Sequence, residues 1–348
     1  MAGVTWLHLS DWHQKGPDFD KFNRQVVCDA LIQDIRERAS IDPALLHVDF
    51  AVFSGDLAFS GKPDEYKAAQ GHLLDPVLEA VNLKPSADQK ANRLFVVPGN
   101  HDLDRDIAHD KEWAPAALQK PIASPDEVAT WLTEARKFLR VVEPFEAYRE
   151  FVIGYTGQDS PAYASILRLE AGGKQIALLG LNSAWMCARN RDTKDEINDY
   201  GYALVGEPQI HGALAKITDA NLRIVVLHHP FEWLAEFDRS RIKARLKQAC
   251  HFILSGHEHS SQVEVMHGTL GNCVTIPAGA SYNRRTAEDS RYTNAYNFVH
   301  LSFDDAAHAI EGVVYLRRWS DKRNVWVEDS DSCADGKYTF SLLEKGHV

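Results

Sequence analysis

An apolar run that ends in Gly-Asn-His-Asp constrains the fold of this chain more than any other stretch. Residues 94–97 have the character of a buried strand, and Pro98 and Gly99 then stop the strand and turn the backbone. Three side chains that can bind a metal or carry a proton follow at once: Asn100, His101 and Asp102. Open α/β sheets place their ligands at the carboxyl ends of strands. The stretch therefore predicts an α/β fold with a functional site at this strand end.

The same pattern, an apolar strand followed by Asp, Asn or His, occurs at four other places. The polar ends are Asp11-Trp12-His13, Gly55-Asp56, His228-His229-Pro230 and Gly256-His257-Glu258-His259. Each short motif arises often by chance, but five of them at successive strand ends are far more specific. Together they offer oxygen and nitrogen donors without a thiolate, from Asp11, His13, Asp56, Asn100, His228, His257 and His259. This mixture favours Mn²⁺, Fe or Zn²⁺ over Mg²⁺ or Ca²⁺.

Two divalent transition-metal ions that share Asp56 fit this donor set, and Mn²⁺ is the ion that we expect first. Such a pair, about 3.5–4 Å apart, lowers the pKa of a bridging water and neutralises phosphoryl oxygens in the transition state. The leaving oxygen also needs a proton. His101, next to Asn100, is placed to supply it as general acid, and Asp102 is expected to orient and charge the imidazole. The motifs thus predict phosphoester hydrolysis by a hydroxide that two metals activate.

The order of predicted elements is typical of an α/β protein with parallel neighbouring strands. Strands at residues 5–10, 50–54 and 93–97 alternate with helices at 19–38 and 63–81. This βαβ pattern requires right-handed crossovers.

A change of pattern after residue 103 indicates an insert. Helical stretches near residues 127–140 and 144–152 accompany aspartates, alanines and prolines, and we interpret about 103–161 as a cap or rim beside the site. The remainder alternates strands with two helices and then becomes mostly β. We therefore expect one catalytic domain over residues 1–348.

Charge and cysteine content limit the partners and the compartment. The formal net charge is −11, whereas a protein that binds nucleic acid over its whole surface is usually basic. Any binding of nucleic acid is therefore expected to be local and weak. Five scattered cysteines without a CxxC pair indicate a reducing compartment. Neither a signal peptide nor a membrane span is predicted. These features favour a cytoplasmic protein with no membrane partner and leave its protein partners unknown.

The five motifs in this order resemble the calcineurin-like metallophosphoesterase superfamily over about residues 4–280. The resemblance implies a four-layer α-β-β-α sandwich of two mixed sheets with a dinuclear metal site at the carboxyl ends of strands. It also implies two ligand sets that share Asp56. One is Asp11, His13, Asp56 and His259, and the other is Asp56, Asn100, His228 and His257. The sequence segments at residues 55–61 and 97–105 resemble a bacterial branch of the superfamily. Proteins of that branch often carry further modules after the catalytic domain, and this chain is expected to hold the catalytic part alone.

The superfamily resemblance does not select a substrate. We expect a phosphodiesterase acting on nucleotides or nucleic-acid ends, because Gly-Asn-His-Asp with a complete His-x-His resembles the phosphodiesterase and nuclease members. Arg105 is the candidate for a contact with the substrate phosphate, although surface salt bridges are the commoner use of arginine. The alternatives are a phosphomonoesterase acting on phosphoprotein or a small metabolite, and a non-catalytic scaffold, which would have no need for the complete ligand set.

Overall fold

Two facing β-sheets organise the computed structural model, which describes residues 3–16, 21–86, 89–108, 122–159, 164–187, 199–258, 262–267, 272–282, 294–304 and 309–343. The strands are β1 Gly3–Leu9, β2 Phe50–Phe53, β3 Leu94–Val96, β4 Ala164–Ala171, β5 Lys174–Leu181, β6 Leu222–Leu227, β7 Phe252–Ser255, β8 Glu264–Met266, β9 Cys273–Pro277, β10 Ala295–Asp304, β11 Ala309–Ser320, β12 Val325–Glu328 and β13 Lys337–Leu343.

Both sheets mix parallel and antiparallel pairs. The first has the order β12-β11-β10-β1-β2-β3, with β13 also paired to β11, and its β1-β2-β3 part is parallel. The second has the order β4-β5-β6-β7-β9-β8, with β5, β6, β7 and β9 parallel. The carboxyl ends of β1, β2 and β3 therefore lie together, as do those of β6 and β7.

Large apolar side chains fill the space between the two sheets. Trp6 of β1 stacks on Phe50 of β2, with ring centroids 5.6 Å apart, and meets Phe252 of β7 edge-on at 5.4 Å. Because successive side chains of a strand point to opposite faces, Leu7 lies on the other side of β1, in the cluster that reaches the helices. One face of each sheet thus forms the inner core and the other receives helices.

Helices cover the outer faces and complete a four-layer sandwich. The described helices are α1 Lys21–Arg36, α2 Arg38–Ile41, α3 Pro63–Ala69, α4 Asp75–Ala80, α5 Arg105–Ala108, α6 Pro125–Thr133, α7 Ala135–Val142, α8 Glu146–Thr156, α9 Glu207–Ala215 and α10 Glu236–Ala249. Leu31 of α1 packs in one cluster with Leu7, and Ile242 of α10 is buried with Val225 of β6. The predicted fold class is confirmed. Within the described ranges, no helix has the length and hydropathy needed to cross a membrane.

Several predicted elements differ in detail from the structure. The helix expected over residues 63–81 is α3 and α4 joined by a π-helical turn at Gln70–Leu74. The stretch expected near 127–140 is two helices, since the chain adopts an extended conformation at Glu134. β13 was not predicted at all. Helices α5 to α8 lie within residues 103–161, and their role as a cap over the site stays a prediction.

Candidate metal centre

Backbone hydrogen bonds bring the polar strand ends of both sheets to one place. The loops after β1 and β2 are joined because the Asp11 amide donates to the Gly55 carbonyl at 2.9 Å and the His13 amide donates to the Asp56 carbonyl at 2.9 Å. Between the sheets, the His257 amide donates to Asp11 Oδ2 at 3.0 Å. The side chains that follow five separate strands therefore meet at one edge of the sandwich.

A single oxygen of Asp56 lies at the centre of the cluster. Asp56 Oδ2 is 3.1 Å from His13 Nε2 and 3.2 Å from His228 Nε2. The other oxygen, Oδ1, accepts the backbone N–H of His101 at 2.8 Å, which fixes the orientation of the carboxylate. The Asp56 side chain is buried, so water does not compete for these contacts. One oxygen between imidazoles from opposite sheets is the arrangement expected of a bridging ligand.

His228 connects Asp56 to the second half of the cluster. Its Nε2 is 3.2 Å from Asn100 Oδ1 and 3.2 Å from His257 Nδ1. Its Nδ1 lies 2.8 Å from the Ser54 carbonyl, which accepts the Nδ1–H. In this tautomer the lone pair of Nε2 faces the other predicted ligands and is available to a metal ion. A hydrogen bond on the outer nitrogen commonly sets the tautomer of a metal-binding histidine.

The spacing of these donors fits divalent cations. Ligand distances of about 2.0–2.2 Å place neighbouring donors of one ion roughly 3–3.5 Å apart, and the contacts of Asp56 Oδ2 with His13 and His228 measure 3.1 and 3.2 Å. Asp11 Oδ1 lies farther out, 3.9 Å from His13 Nε2. The seventh predicted ligand, His259, lies outside the described residues. The described part of the predicted set therefore converges around Asp56, with oxygen and nitrogen donors on both sides of it.

Charge within the cluster also favours a cation at this position. Burial acts to lower the pKa of His228, but the adjacent Asp56 carboxylate outweighs it and raises this pKa to about 9. Burial acts to raise the pKa of Asp56, yet His228 and His101 hold it well below its usual range. The Asp56 carboxylate thus favours positive charge beside it, which a divalent cation would supply.

The backbone at four predicted ligands adopts a left-handed conformation that residues other than glycine rarely adopt. Asp11, His13, Asp56 and His257 have φ values of 54°, 49°, 59° and 71°. Left-handed backbone at residues that bear a Cβ costs free energy and concentrates at functional sites. Hydrogen bonds between the loops stabilise this conformation. In it, the side chains of these four residues face the cluster.

Glycines before two of the ligands permit the close approach. A Cβ on Gly99 would lie 2.1 Å from Asp56 Oδ1, and one on Gly55 would lie 2.5 Å from His228 Nδ1. Both distances are far below van der Waals contact. The Gly-Asp and Gly-Asn pairs of the sequence are therefore requirements of packing inside the cluster.

His101 lies at the edge of the cluster on the side of His13. Its Nδ1 is 2.9 Å from the Phe59 carbonyl, which accepts the Nδ1–H, and its ring stacks on the Phe59 ring with centroids 4.9 Å apart. The His13 ring is 4.7 Å away. Burial lowers the pKa of His101 to about 4, although the Asp56 carboxylate opposes that shift. Nε2 is the ring nitrogen that remains to exchange a proton.

Asp102 does not orient His101 as the sequence predicted. Its carboxylate accepts the buried amides of Asp56 at 2.8 Å, Ala58 at 3.0 Å and Gly99 at 2.9 Å. Leu57 N and the Tyr66 hydroxyl complete the set. The reason is that the Asp102 side chain faces back into the loops after β2 and β3, and the Phe59 carbonyl holds His101 instead. Burial and the neighbouring Asp56 carboxylate raise the pKa of Asp102 to about 6.

Replacing Asp102 with alanine is expected to lower the free energy of unfolding by about 3–5 kcal/mol, because several buried amides would lose their acceptor. Urea denaturation would measure the change, and Asp102→Asn, which keeps one acceptor oxygen, should lose less. Metal affinity should fall together with stability, because Asp102 holds the Asp56 loop. Unchanged stability with an altered pH–rate profile would instead restore the role predicted from the sequence.

Arg105 begins α5, three residues after Asp102 of the Gly-Asn-His-Asp motif. Its Nη2 is buried and has no hydrogen-bond partner among the described residues. Burial lowers the pKa of its guanidinium, whereas the Asp56 and Asp199 carboxylates oppose that shift, so the group lies within electrostatic reach of the cluster. A buried donor without an acceptor is costly, and an anionic substrate oxygen would satisfy it.

His229 is a residue of the site that sequence reasoning missed. One of its ring nitrogens lies with those of His228 and His257 in a group whose atoms are within 4.8 Å of one another. The Ser183 hydroxyl contacts His229 Nδ1 at 2.9 Å and accepts the His229 amide at 3.1 Å. Burial and the nearby His257 hold the pKa of His229 well below its usual range, so the ring is neutral. The doubled histidine before Pro230 was the signal available.

Two mixed sheets with a His/Asp cluster at their common edge define a metal-binding α/β sandwich protein. A family model described as calcineurin-like phosphoesterase matches residues 4–261, which is most of the chain. The chain therefore belongs to the calcineurin-like phosphoesterase family, and its chemistry is metal-dependent hydrolysis of phosphoesters.

Individual relatives are distant. The chain is 24% identical over 369 residues to YydB, an uncharacterized metallophosphoesterase-like protein of Bacillus subtilis (strain 168), covering 98% of this chain and 67% of that protein. Among solved structures, it is similar to GAP50, the anchor in the inner membrane complex of Plasmodium, with a TM-score of 0.47, 14% identity, and coverage of 99% and 90%. The calcineurin-like phosphoesterase YfkN of Bacillus subtilis gives a TM-score of 0.35, 12% identity, and coverage of 99% and 93%.

Proposed function

We propose that this protein hydrolyses phosphodiester bonds of nucleotides or nucleic-acid ends at the cluster around Asp56. The observation that carries the proposal is the position of Asp56 Oδ2, 3.1 Å from His13 Nε2 and 3.2 Å from His228 Nε2. A shared carboxylate oxygen with nitrogen donors on both sides is suited to two cations at the separation that in-line phosphoryl displacement uses.

The first ligand set comprises Asp11, His13, Asp56 and His259, and the second comprises Asp56, Asn100, His228 and His257. We propose Mn²⁺ as the ion, because carboxylate and amide oxygens suit it and these two sets contain no thiolate. When bound, the pair would supply Lewis-acid charge and lower the pKa of a water molecule. Arg105 would bind a phosphoryl oxygen through its buried Nη2, which lacks another partner among the described residues.

His101 is the group that we propose as the general acid. The Phe59 carbonyl holds Nδ1, so a proton for the leaving oxygen would come from Nε2. Since burial lowers the pKa of His101 to about 4, that proton would have to be acquired with the anionic substrate present. A group with so low a pKa is a weak base but a strong acid once it is protonated, which suits protonation of an alkoxide.

A substrate panel with the Mn²⁺-loaded protein tests the proposed function. Bis-p-nitrophenyl phosphate should be hydrolysed faster than p-nitrophenyl phosphate, and dinucleotides, cyclic nucleotides and single- and double-stranded DNA and RNA would then define the natural class. Hydrolysis of the monoester alone would make the protein a phosphomonoesterase. Failure on every ester despite two bound ions per chain would support the scaffold alternative.

A further inference from the structure

An aromatic pair beside the metal centre is not used by the proposed chemistry. The Trp233 ring lies edge-on to the His257 ring with centroids 4.0 Å apart, and the Tyr200 ring lies edge-on to Trp233 at 5.3 Å. Tyr200 is 56% exposed and Trp233 is partly exposed. The pair therefore extends from a predicted metal ligand outward to solvent.

Specific contacts hold Trp233 at this position. Its indole N–H donates to Glu258 Oε1 at 2.9 Å. Its carbonyl accepts the amides of Gly201 at 3.0 Å and Ala203 at 3.2 Å, which joins the segment of Trp233 to that of Tyr200. The hydrogen-bonded indole is thus held beside His257.

The aromatic ring on the opposite side of the cluster is differently placed. Phe59 stacks on the His101 ring, and Lys15 Nζ lies over the Phe59 ring at 3.9 Å from its centroid. Its faces are already engaged by side chains of the protein. Of these two aromatic groups, Trp233 with Tyr200 is the one that includes a largely exposed ring, because Tyr200 is 56% exposed.

We infer that Tyr200 and Trp233 form the binding site for the base of a nucleoside phosphodiester substrate, an inference that rests on the proposed function. A base bound there would lie close enough to the cluster to belong to the same substrate as a phosphate bound at it, because the Trp233 ring contacts the His257 ring directly. Stacking on aromatic side chains accepts any base, since every base has a π-face. The site should therefore favour nucleoside esters over alkyl esters with little selection among bases.

Two diesters with the same leaving group test this inference: thymidine 5′-(p-nitrophenyl phosphate) and ethyl p-nitrophenyl phosphate. The wild-type protein should prefer the thymidine ester by roughly 5–100-fold in kcat/KM, the range of one base stacked on aromatic side chains. Trp233→Ala should remove most of this ratio. Trp233→Phe, which keeps a ring but loses the bond to Glu258, should retain most of it, and Tyr200→Ala should reduce it in part.

The ratio separates base binding from general damage, because any loss of metal through His257 lowers both rates equally. No preference in the wild type, or an unchanged ratio in Trp233→Ala, would overturn the inference while ethyl ester hydrolysis still upheld the proposed function. If neither ester is hydrolysed, the proposed function fails separately. In that case, calorimetry measures the binding of thymidine 5′-monophosphate to the wild type and to Trp233→Ala. Binding to Trp233→Ala that is at least about 5-fold weaker than to the wild type would support the base site, and equal binding would overturn it.

Discussion

Replacing Asp56 with asparagine is expected to lower turnover by more than about 10³-fold and to reduce bound metal from two ions per chain to one or none. The amide keeps the shape of the side chain but removes the charge, and Asp56 Oδ2 is the atom that lies between His13 Nε2 and His228 Nε2. Elemental analysis after Mn²⁺ reconstitution and a diester hydrolysis assay measure the two effects.

Asp238→Asn is the matched control for this substitution. Asp238 is also buried and accepts two backbone amides, those of Val205 at 2.8 Å and Gly206 at 3.0 Å. It lies on α10, outside the cluster, so any loss of stability should leave metal content unchanged. Asp56→Asn with full activity and two ions per chain would show that the bridging assignment is wrong.

Replacing His101 with asparagine is expected to lower the rate by about 10²–10⁴-fold on a substrate with a poor leaving group, the usual contribution of a general acid. A thymidine dinucleotide is such a substrate, because its leaving alkoxide needs a proton in the transition state. Thymidine 5′-(p-nitrophenyl phosphate) has a good leaving group and should lose far less. Rates on both esters, with metal content measured alongside, give the comparison.

His251→Asn controls for the loss of a buried imidazole. His251 is fully buried and its Nδ1 accepts the Arg223 amide at 3.1 Å, but it precedes β7, at the opposite end of that strand from His257. Its replacement should change both rates by the same factor. Equal losses on both esters in His101→Asn would remove the general-acid role and leave the metal centre in place.

Much of the fold was predictable because apolar runs ended at clear stop signals. The strand expected at residues 50–54 is β2, Phe50–Phe53, and the strand expected at residues 93–97 is β3, Leu94–Val96. β13 was missed although Phe340 and Leu342 face the core in alternation. Because β13 is an edge strand that pairs, among the described strands, only with β11 and polar residues flank it, its hydrophobic pattern is weaker than that of the central strands.

The site was only partly predictable, because motif spacing identifies donors but not the backbone that aims them. Nothing in the sequence indicates that Asp56 has a φ of 59° or that His257 has a φ of 71°. The partner of Asp102 was misassigned, since sequence adjacency favoured His101 whereas the fold brings in amides from the loop after β2. His229 was overlooked because its role depends on contacts with Ser183, 46 residues away.

Anomalous diffraction from crystals grown with Mn²⁺ tests the dinuclear centre most directly. Two peaks about 3.5–4 Å apart are expected, one on each side of Asp56 Oδ2. The first should lie next to His13 and the second next to His228 and Asn100. A single peak, or two peaks without Asp56 between them, would contradict the dinuclear site.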